Sequence, residues 1–551
     1  MNYSINRKFS QFFSKHKLTL IRILFLVIIT LAGIVVFVPL LTTAIFGDDW
    51  QLLWIAKSFV NSRGTFLPTV ANSYLLEVLT FYLMPRIFGY ASLPYYALSF
   101  VLRIFVSFTL FWFLKKRNLS DIAAFFGGLL FMVSPVGLEA TIMMRNFDSY
   151  LGMILLLVTL DITIRLDNVK KSISIIILSI LELLINTIRS PGFFIAIFFT
   201  LTAKILLPGT RNKKIILFTL ISICATFLLV GNSALFGGQL QNLSIRNFPF
   251  STFLYSFMGN VGRAMVPYLP NELLSFLLLS GIFFVWNRSC FLKKNLLSSA
   301  ALIISFGATV YIGLKILGQE AAFFSSFLMG IYFFLNFAFV TFSNYFKRDR
   351  EKFINTAVVF ISSFAFVLTP TIRMPHFSAG SDDRYLVYAA LTAPLMGAFF
   401  IQEIITQGSR LKQAIGVLAI FLLIYVFAIG SVGFLKFHES NHNVLYTEIV
   451  WGKIKSYLDK YDLKNNKVEI IFLTDTPSYS KVNAAVHFGF MFHTGLIYKI
   501  WNADQLPTSY LVWSKEMLDN HIKKVSDSMR KRVLIEIIDA QVKELPFPKN
   551  I

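Results

Sequence analysis

The stretch Ile23–Gln51, ILFLVIITLAGIVVFVPLLTTAIFGDDWQ, decides the fold. From Ile23 to Ile45 it carries no charged residue, and a helix of that length exceeds the ~20 residues needed to cross a bilayer's hydrocarbon. It then runs into Phe46-Gly47-Asp48-Asp49-Trp50-Gln51, two adjacent carboxylates where the chain leaves the membrane. Carboxylates are costly to hold near hydrocarbon and are rare there without a task. Neighbouring acids can share a proton or a cation, so that one stays ionised while the other is tuned upward. A general base at a membrane surface needs that behaviour. The plainer reading makes Asp48 or Asp49 a helix cap, with Trp50 and Trp54 as interfacial anchors. On this stretch alone both readings stand.

The rest of the chain repeats the first run. Apolar residues make up 56% of 551 positions, well beyond the share of a soluble globular protein. Charge-free runs of spanning length recur throughout, so the chain reads as a polytopic membrane protein. The first run is too long for a signal peptide, lacks a small-residue cleavage site and is followed by further spans. The net charge of +22 is not a nucleic-acid signature. From His438 to Ile551 there are 15 basic and 13 acidic side chains, and the remaining 36 basic and 16 acidic ones precede them. Most of that excess lies in short loops between spans, where it sets orientation. Cys224 and Cys290 sit in or beside apolar runs with no metal-ligand spacing, so neither disulfide nor metal is expected of them.

Arg7, Lys8, Lys15, Lys17 and Arg22 place the N-terminus in the cytoplasm and Asp48 and Asp49 outside. The segment 51–93 is too polar and broken to span, and reads as two helices on the outer surface, about Gln51–Val60 and Asn72–Phe88. Spans follow at about Pro94–Leu114, Ala123–Pro135 and Phe147–Ile164, with inner basic loops at Lys115-Lys116-Arg117 and Arg165 to Lys171. A short hairpin occupies Ser172–Phe199, a span Ile215–Val230, and a long outer loop Gly231–Asn271, a length usual for lids and binding segments. Further spans are read at Leu273–Trp286, Leu296–Leu317, Ala321–Phe342, Phe353–Thr369, Leu386–Ile405 and Ile415–Leu435. The total is about 13, with no internal repeat of the kind that marks many transporters. After Lys436 the composition changes. Val444–Tyr461 has helical spacing, Lys467–Leu473 and Arg532–Ile538 read as strands, and Ser478–Phe490 and Tyr510–Met529 read as helices. This makes a membrane domain 1–436 and a small outer α/β domain 437–551. His438 and His442 are four apart, but the Asn and Ser around them read as loop rather than as a metal-binding helix.

Four charged features fall on the outer side: Asp48/Asp49, Arg145 with Asp148, Arg246 with Arg263, and Arg373 with Arg384-Tyr385. Arginine grips phosphate with two parallel hydrogen bonds, which lysine cannot. A carboxylate can accept the proton of an attacking hydroxyl as the phosphate departs. Such a set suits a substrate with a phosphate and a leaving sugar. The plainer readings are a salt bridge between Arg145 and Asp148, and a snorkelling arginine beside an interfacial tyrosine at Arg384-Tyr385.

Taken together, the acid pair Asp48-Asp49 after the first span, the two surface helices, Arg145-x-x-Asp148 opening a later span and Asp383-Arg384-Tyr385 opening another resemble the GT-C superfamily of integral membrane glycosyltransferases. The resemblance covers nearly the whole chain. It implies an inverting hexosyl- or pentosyltransferase of the plasma (inner) membrane, taking a sugar from a polyprenyl-phosphate donor on the outer, periplasmic face. The acceptor would be a cell-surface glycan, lipid or protein. Asp48 would be the base and Asp49 its support. Arg384, Tyr385 and Arg263 would hold the donor phosphate, and Arg145 and Asp148 would serve the acceptor. Asp48 and Asp148 are the residues that would hold a divalent cation if one is used. Membrane lipid is expected as a partner and nucleic acid is not. The tail lacks the Trp-Trp-Asp motif of oligosaccharyltransferases, which argues against transfer to asparagine in proteins. Two alternatives stay open: a lipid-linked glycan polymerase, and a transporter or flippase of lipid-linked glycan. The last would predict charges buried mid-span.

Overall fold

The computed structural model describes residues 2–45, 49, 75–89, 91–143, 146–166, 176–178, 180–181, 192–207, 212–231, 250–288, 290, 303, 306–307, 310–311, 319–373, 383–407, 409–441, 444–461, 468–474, 508–512, 514–524, 531–538 and 541–547. The first helix, α1 (Asn2–Phe37), ends in a 3-10 turn, Val38–Thr42, which begins with Pro39 near its first position. Next come α2 (Leu75–Phe88), α3 (Leu93–Lys116), α4 (Asp121–Val133), the single turn α5 (Glu139–Ile142) and α6 (Phe147–Ile164). Then follow α7 (Gly192–Leu206), α8 (Lys213–Gly231), α9 (Phe250–Met265), α10 (Glu272–Trp286), α11 (Gln319–Phe346) and α12 (Arg350–Arg373). A 3-10 helix, Asp383–Leu391, leads directly into α13 (Thr392–Gln407), and α14 (Arg410–Asn441) completes the bundle.

Seven helical stretches among the described residues are long and apolar enough to cross a membrane: Leu18–Thr42, Leu93–Lys116, Phe147–Ile164, Phe323–Phe346, Arg350–Leu368, Leu386–Thr406 and Arg410–Ser440. Asp121–Val133, Ile195–Leu206 and Glu272–Trp286 are apolar but shorter. The chain is a multi-pass membrane protein. Of the about 13 spans read from the sequence, the first arm of the hairpin from Ser172 and the run Leu296–Leu317 lie largely outside the described residues.

One end of the bundle gathers the basic side chains. There Asp121 holds Arg22 Nε at 3.2 Å and Lys115 Nζ at 2.8 Å, and Arg117 donates to Asn355 Oδ1 at 3.1 Å. Lys204 donates to the last carbonyls of α6, Thr163 O and Ile164 O, and Arg165 pairs with Asp161. Cations at a helix C-terminus meet the negative end of the helix dipole.

The centre of the bundle is α4. At ~20 Å it is too short for a ~30 Å hydrocarbon layer, and Ala123 to Val133 are all buried. Its C-terminus therefore ends inside the protein, where its last carbonyls need donors. Neighbouring helices supply them. Arg103 of α3, fully buried, donates to Phe131 O at 3.0 Å, Met132 O at 3.3 Å and Ser134 O at 2.6 Å. Its remaining Nη1 donates to Tyr150 Oη at 3.0 Å, and Ser431 of α14 donates to Val133 O at 2.8 Å. The guanidinium also faces the Phe37 and Phe131 rings at 5.4 and 5.1 Å.

Three expectations change. The segment Gly231–Asn271 is not one long loop, since Phe250–Met265 is a helix whose C-terminal half is buried. Gly259 and Gly262 within it are packing residues. A Cβ on Gly262 would overlap Ser326 O of α11, and one on Gly330 of α11 would overlap Met258 O. Small residues let membrane helices touch backbone to backbone. His438 lies within α14, half-buried and tilted against the Phe434 ring at 4.5 Å, rather than in a loop. In the tail, the start of the predicted helix Tyr510–Met529 belongs to a strand instead, and the described helix is Lys515–Lys524.

Among the described residues of that tail, α15 (Val444–Leu458) precedes β1 (Val468–Thr474), β2 (Thr508–Val512), α16 (Lys515–Lys524), β3 (Lys531–Ile538) and β4 (Gln541–Leu545). The sheet has the order β2-β1-β3-β4, with β1 parallel to both neighbours and β4 antiparallel to β3. Ile471, Val512, Leu534, Leu518 and Ile522 form its core between sheet and α16. The expected helix Ser478–Phe490 lies outside the described residues.

Candidate functional site

The site is built at the end of the bundle opposite the basic loops. Here α1 hands over to the first connecting segment, and the N-terminus of α3 pins it. Ser92 Oγ donates to Thr43 O at 2.6 Å and Tyr96 Oη to Ala44 O at 2.7 Å. These two bonds satisfy extended backbone that has left its helix. Asp49, a few residues further on, is fully buried and lies within electrostatic reach of the Tyr96 hydroxyl. A carboxylate so placed persists only with compensating partners. Asp48 and Trp50 lie outside the described residues, as do the expected surface helix Gln51–Val60, Arg145 and Arg246. Of the expected second surface helix Asn72–Phe88, Leu75–Phe88 is helical as α2, with Leu83, Ile87 and Phe88 exposed.

A second wall comes from the turn after α4. Gly137 has φ of +64°, and a Cβ there would overlap the backbone of Val387 in the 3-10 helix Asp383–Leu391. Only glycine allows both the conformation and the close approach. That contact seats the 3-10 helix against α5, and the same segment packs on α6, α9 and α12. Its first residues are Asp383, Arg384 and Tyr385. Beside it Asp148 lies fully buried in the first turn of α6, where the helix dipole favours a negative charge, with Asn146, Ser149 and Glu139 also buried.

The third wall is the C-terminal end of α9. Arg263 is buried in its last turn, with its guanidinium 4.8 Å from the Tyr268 ring centroid. One turn earlier Asn260 Nδ2 donates to Thr371 Oγ1 of α12 at 3.2 Å. Glu272 opens α10 nearby, and burial pushes its carboxyl up to about 7, against the pull of the Leu269 backbone N–H and Arg263. Burial likewise raises the Tyr268 phenol, with Arg263 opposing.

Of the residues singled out in the sequence, Asp49, Asp148 and Arg263 are thus buried, and the helices that carry Asp148 and Arg263 pack on the 3-10 helix that begins Asp383-Arg384-Tyr385. Among the described residues no three His, Cys, Asp or Glu side chains come together as a metal set. Asp49, Asp148 and Glu139 therefore do not by themselves define a cation site.

Sequence reading missed Glu272, Tyr96 and Arg103. Glu272 was legible as a lone acid at the outer start of an apolar run. Tyr96 looks like any interfacial tyrosine, and only the fold shows what it holds. Arg103 is a charge inside a span, the pattern expected of a transporter. Its donors are instead committed to carbonyls and to Tyr150, so it works as a fixed brace for α4 and the turn that carries Gly137 and Glu139.

No family model matches the chain, and no curated protein sequence does. Solved structures do. The oligosaccharyltransferase of Archaeoglobus fulgidus, tethered to an acceptor peptide containing the NVT sequon, superimposes with a TM-score of 0.51 at 12% identity, over 95% of this chain and 69% of that one. The same enzyme in complex with Zn and sulfate gives 0.50 at 12% identity, over 93% and 68%. ArnT from Cupriavidus metallidurans bound to undecaprenyl phosphate aligns over 94% and 92% at 9% identity, with a TM-score of 0.38. The class defined is a multi-pass membrane protein with the fold of these oligosaccharyltransferase structures. Within that class, the chain shares its layout with the Archaeoglobus oligosaccharyltransferase over nearly its whole length.

Proposed function

We propose that this protein is an inverting membrane glycosyltransferase that uses a polyprenyl-phosphate sugar and acts on the outer face of the membrane. One observation carries the reading. Buried Asp49, Asp148 and Arg263 share one end of the bundle with the 3-10 helix that opens at Asp383-Arg384-Tyr385, away from the basic loops. The GT-C fold supports it.

In this reading Asp48, beside buried Asp49, takes the proton from the acceptor hydroxyl. The freed oxygen attacks the anomeric carbon from the side opposite the phosphate, so the configuration inverts as the carbon–oxygen bond to the phosphate breaks. Charge grows on the departing polyprenyl phosphate, and Arg384 holds it with Arg263 and Tyr385 in support. Asp148 and Arg145 orient the acceptor. Asp49 supports its neighbour as the second acid of the pair. A divalent cation would need Asp48 together with Asp148, and no step here depends on one.

The acceptor is a cell-surface glycan, lipid or protein, and the sugar a hexose or pentose. The absence of a Trp-Trp-Asp motif favours acceptors other than protein asparagine. The N-terminus is cytoplasmic, because the basic residues gather at the end away from the site. Residues 437–551 form an outer domain that tunes acceptor choice.

Purified full-length protein mixed with a polyprenyl-phosphate sugar and a glycan acceptor should yield an acceptor heavier by one sugar. Lipid-linked sugar moved across a vesicle membrane without transfer would establish the transporter alternative instead. Products growing by many identical units would establish the polymerase.

A further inference from the structure

The basic end of the bundle carries a groove that glycosyl transfer does not use. It encloses about 420 Å³ between α10, α13 and α14, within the ~300–1,000 Å³ usual for ligand sites. One wall is Leu277, Leu278 and Gly281 of α10, and the facing wall is Ile415 and Ala419 of α14. Arg288, Lys412 and Glu403 lie at its polar end. Glu403 is paired with Lys352 at 3.8 Å, so these four groups sum to two positive charges.

The length of the groove points to its occupant. From Arg288 to Leu277 is eleven residues of helical rise, about 16 Å, roughly half of a ~30 Å hydrocarbon layer. The groove therefore runs from headgroup level to the midplane, the depth of one leaflet. It is open midway, because a Cβ on Gly281 would meet nothing within 4 Å. An apolar trough one leaflet deep, closed at the headgroup level by cations, matches a lipid with a negative head.

We propose that this groove binds one bilayer phospholipid with an anionic headgroup. Its phosphate sits between Arg288 and Lys412, and an acyl chain lies along Leu277, Gly281 and Ala419. The site is at the opposite end from the proposed chemistry and holds a membrane lipid rather than the sugar donor.

Native mass spectrometry of the full chain in detergent tests this with three probes: phosphatidylglycerol, phosphatidylcholine and undecaprenyl phosphate, each with and without the others. Wild type should hold one phosphatidylglycerol about 30-fold more tightly than phosphatidylcholine, the effect of two cations near a headgroup. Arg288→Ala with Lys412→Ala should lose that preference. Gly281→Phe, which fills the trough and keeps both cations, should lose the lipid itself, whereas Gly281→Ala should retain it. Equal binding of the two phospholipids would overturn the proposal. So would unchanged binding in Gly281→Phe, or displacement of phosphatidylglycerol from this groove by undecaprenyl phosphate.

Discussion

Arg384 and Arg263 are carried by different elements, and in the proposed reading only Arg384 is assigned a two-pronged grip. Arg384 is the second residue of the 3-10 helix and is the proposed phosphate grip. Arg384→Lys keeps the charge but loses the planar fork. Loss of a charge-assisted bond costs about 1.5–3 kcal/mol, or roughly 10- to 150-fold in affinity. Titration of the purified variant with a polyprenyl-phosphate sugar should show that weakening; unchanged affinity in Arg384→Ala would make it a snorkelling side chain. Glu272 offers a second check through pH. Its folded carboxyl is raised to about 7 from an ordinary 4.5, so folding binds its proton more tightly than the unfolded chain does. The contribution is full below about 4.5 and is lost as pH rises through about 7. Melting temperature in detergent should therefore carry a component that falls between those values in wild type and is missing in Glu272→Gln. Identical slopes in the two proteins would refute the shift.

At the scale of elements, Gly137 is the joint that seats the 3-10 helix. Gly137→Ala forces a left-handed conformation costing about 1–2 kcal/mol and pushes a methyl into the Val387 backbone. The variant should melt lower and bind donor more weakly, because Arg384 rides on the displaced segment. Unchanged melting and donor binding would show that the contact is not a constraint. This joint also marks where sequence reading stopped. Spans such as Phe147–Ile164 and the strand Lys531–Ile538 were visible because charge-free length and β-branched runs are local signals. The helix Phe250–Met265 was not, because Gly259 and Gly262 signal breaks locally and close packing only beside Ser326 and Gly330. Asp49, Asp148 and Arg263 were legible as charged residues near the ends of apolar runs. Their burial was not, since it depends on how a short α4 braced by Arg103 packs distant segments together. Strand β2 was hidden for a similar reason: Thr508–Val512 gains strand character by pairing with β1, across a sequence separation no local pattern reports.

For the whole molecule, orientation and chemistry stand together. The proposed orientation, argued from the basic loops, puts Asp48 and the tail outside the cytoplasm. A reporter fused after Lys436 should be active only outside, and cytoplasmic activity would invert every outer-face assignment. The central claim is that Asp48 is the base in a sugar transfer. Asp48→Asn removes the proton acceptor but keeps the shape, and asparagine caps a helix as well as aspartate does. A cap role therefore makes the substitution nearly silent, whereas a base role lowers turnover by about 10²–10⁴. Because the phosphate is held elsewhere, donor affinity should survive, the pattern of transition-state loss without ground-state loss. The decisive measurement is the rate of sugar transfer by purified Asp48→Asn, read by product mass beside its donor affinity. A rate reduced by that factor with donor binding intact is the expected result, and transfer at the wild-type rate would contradict it.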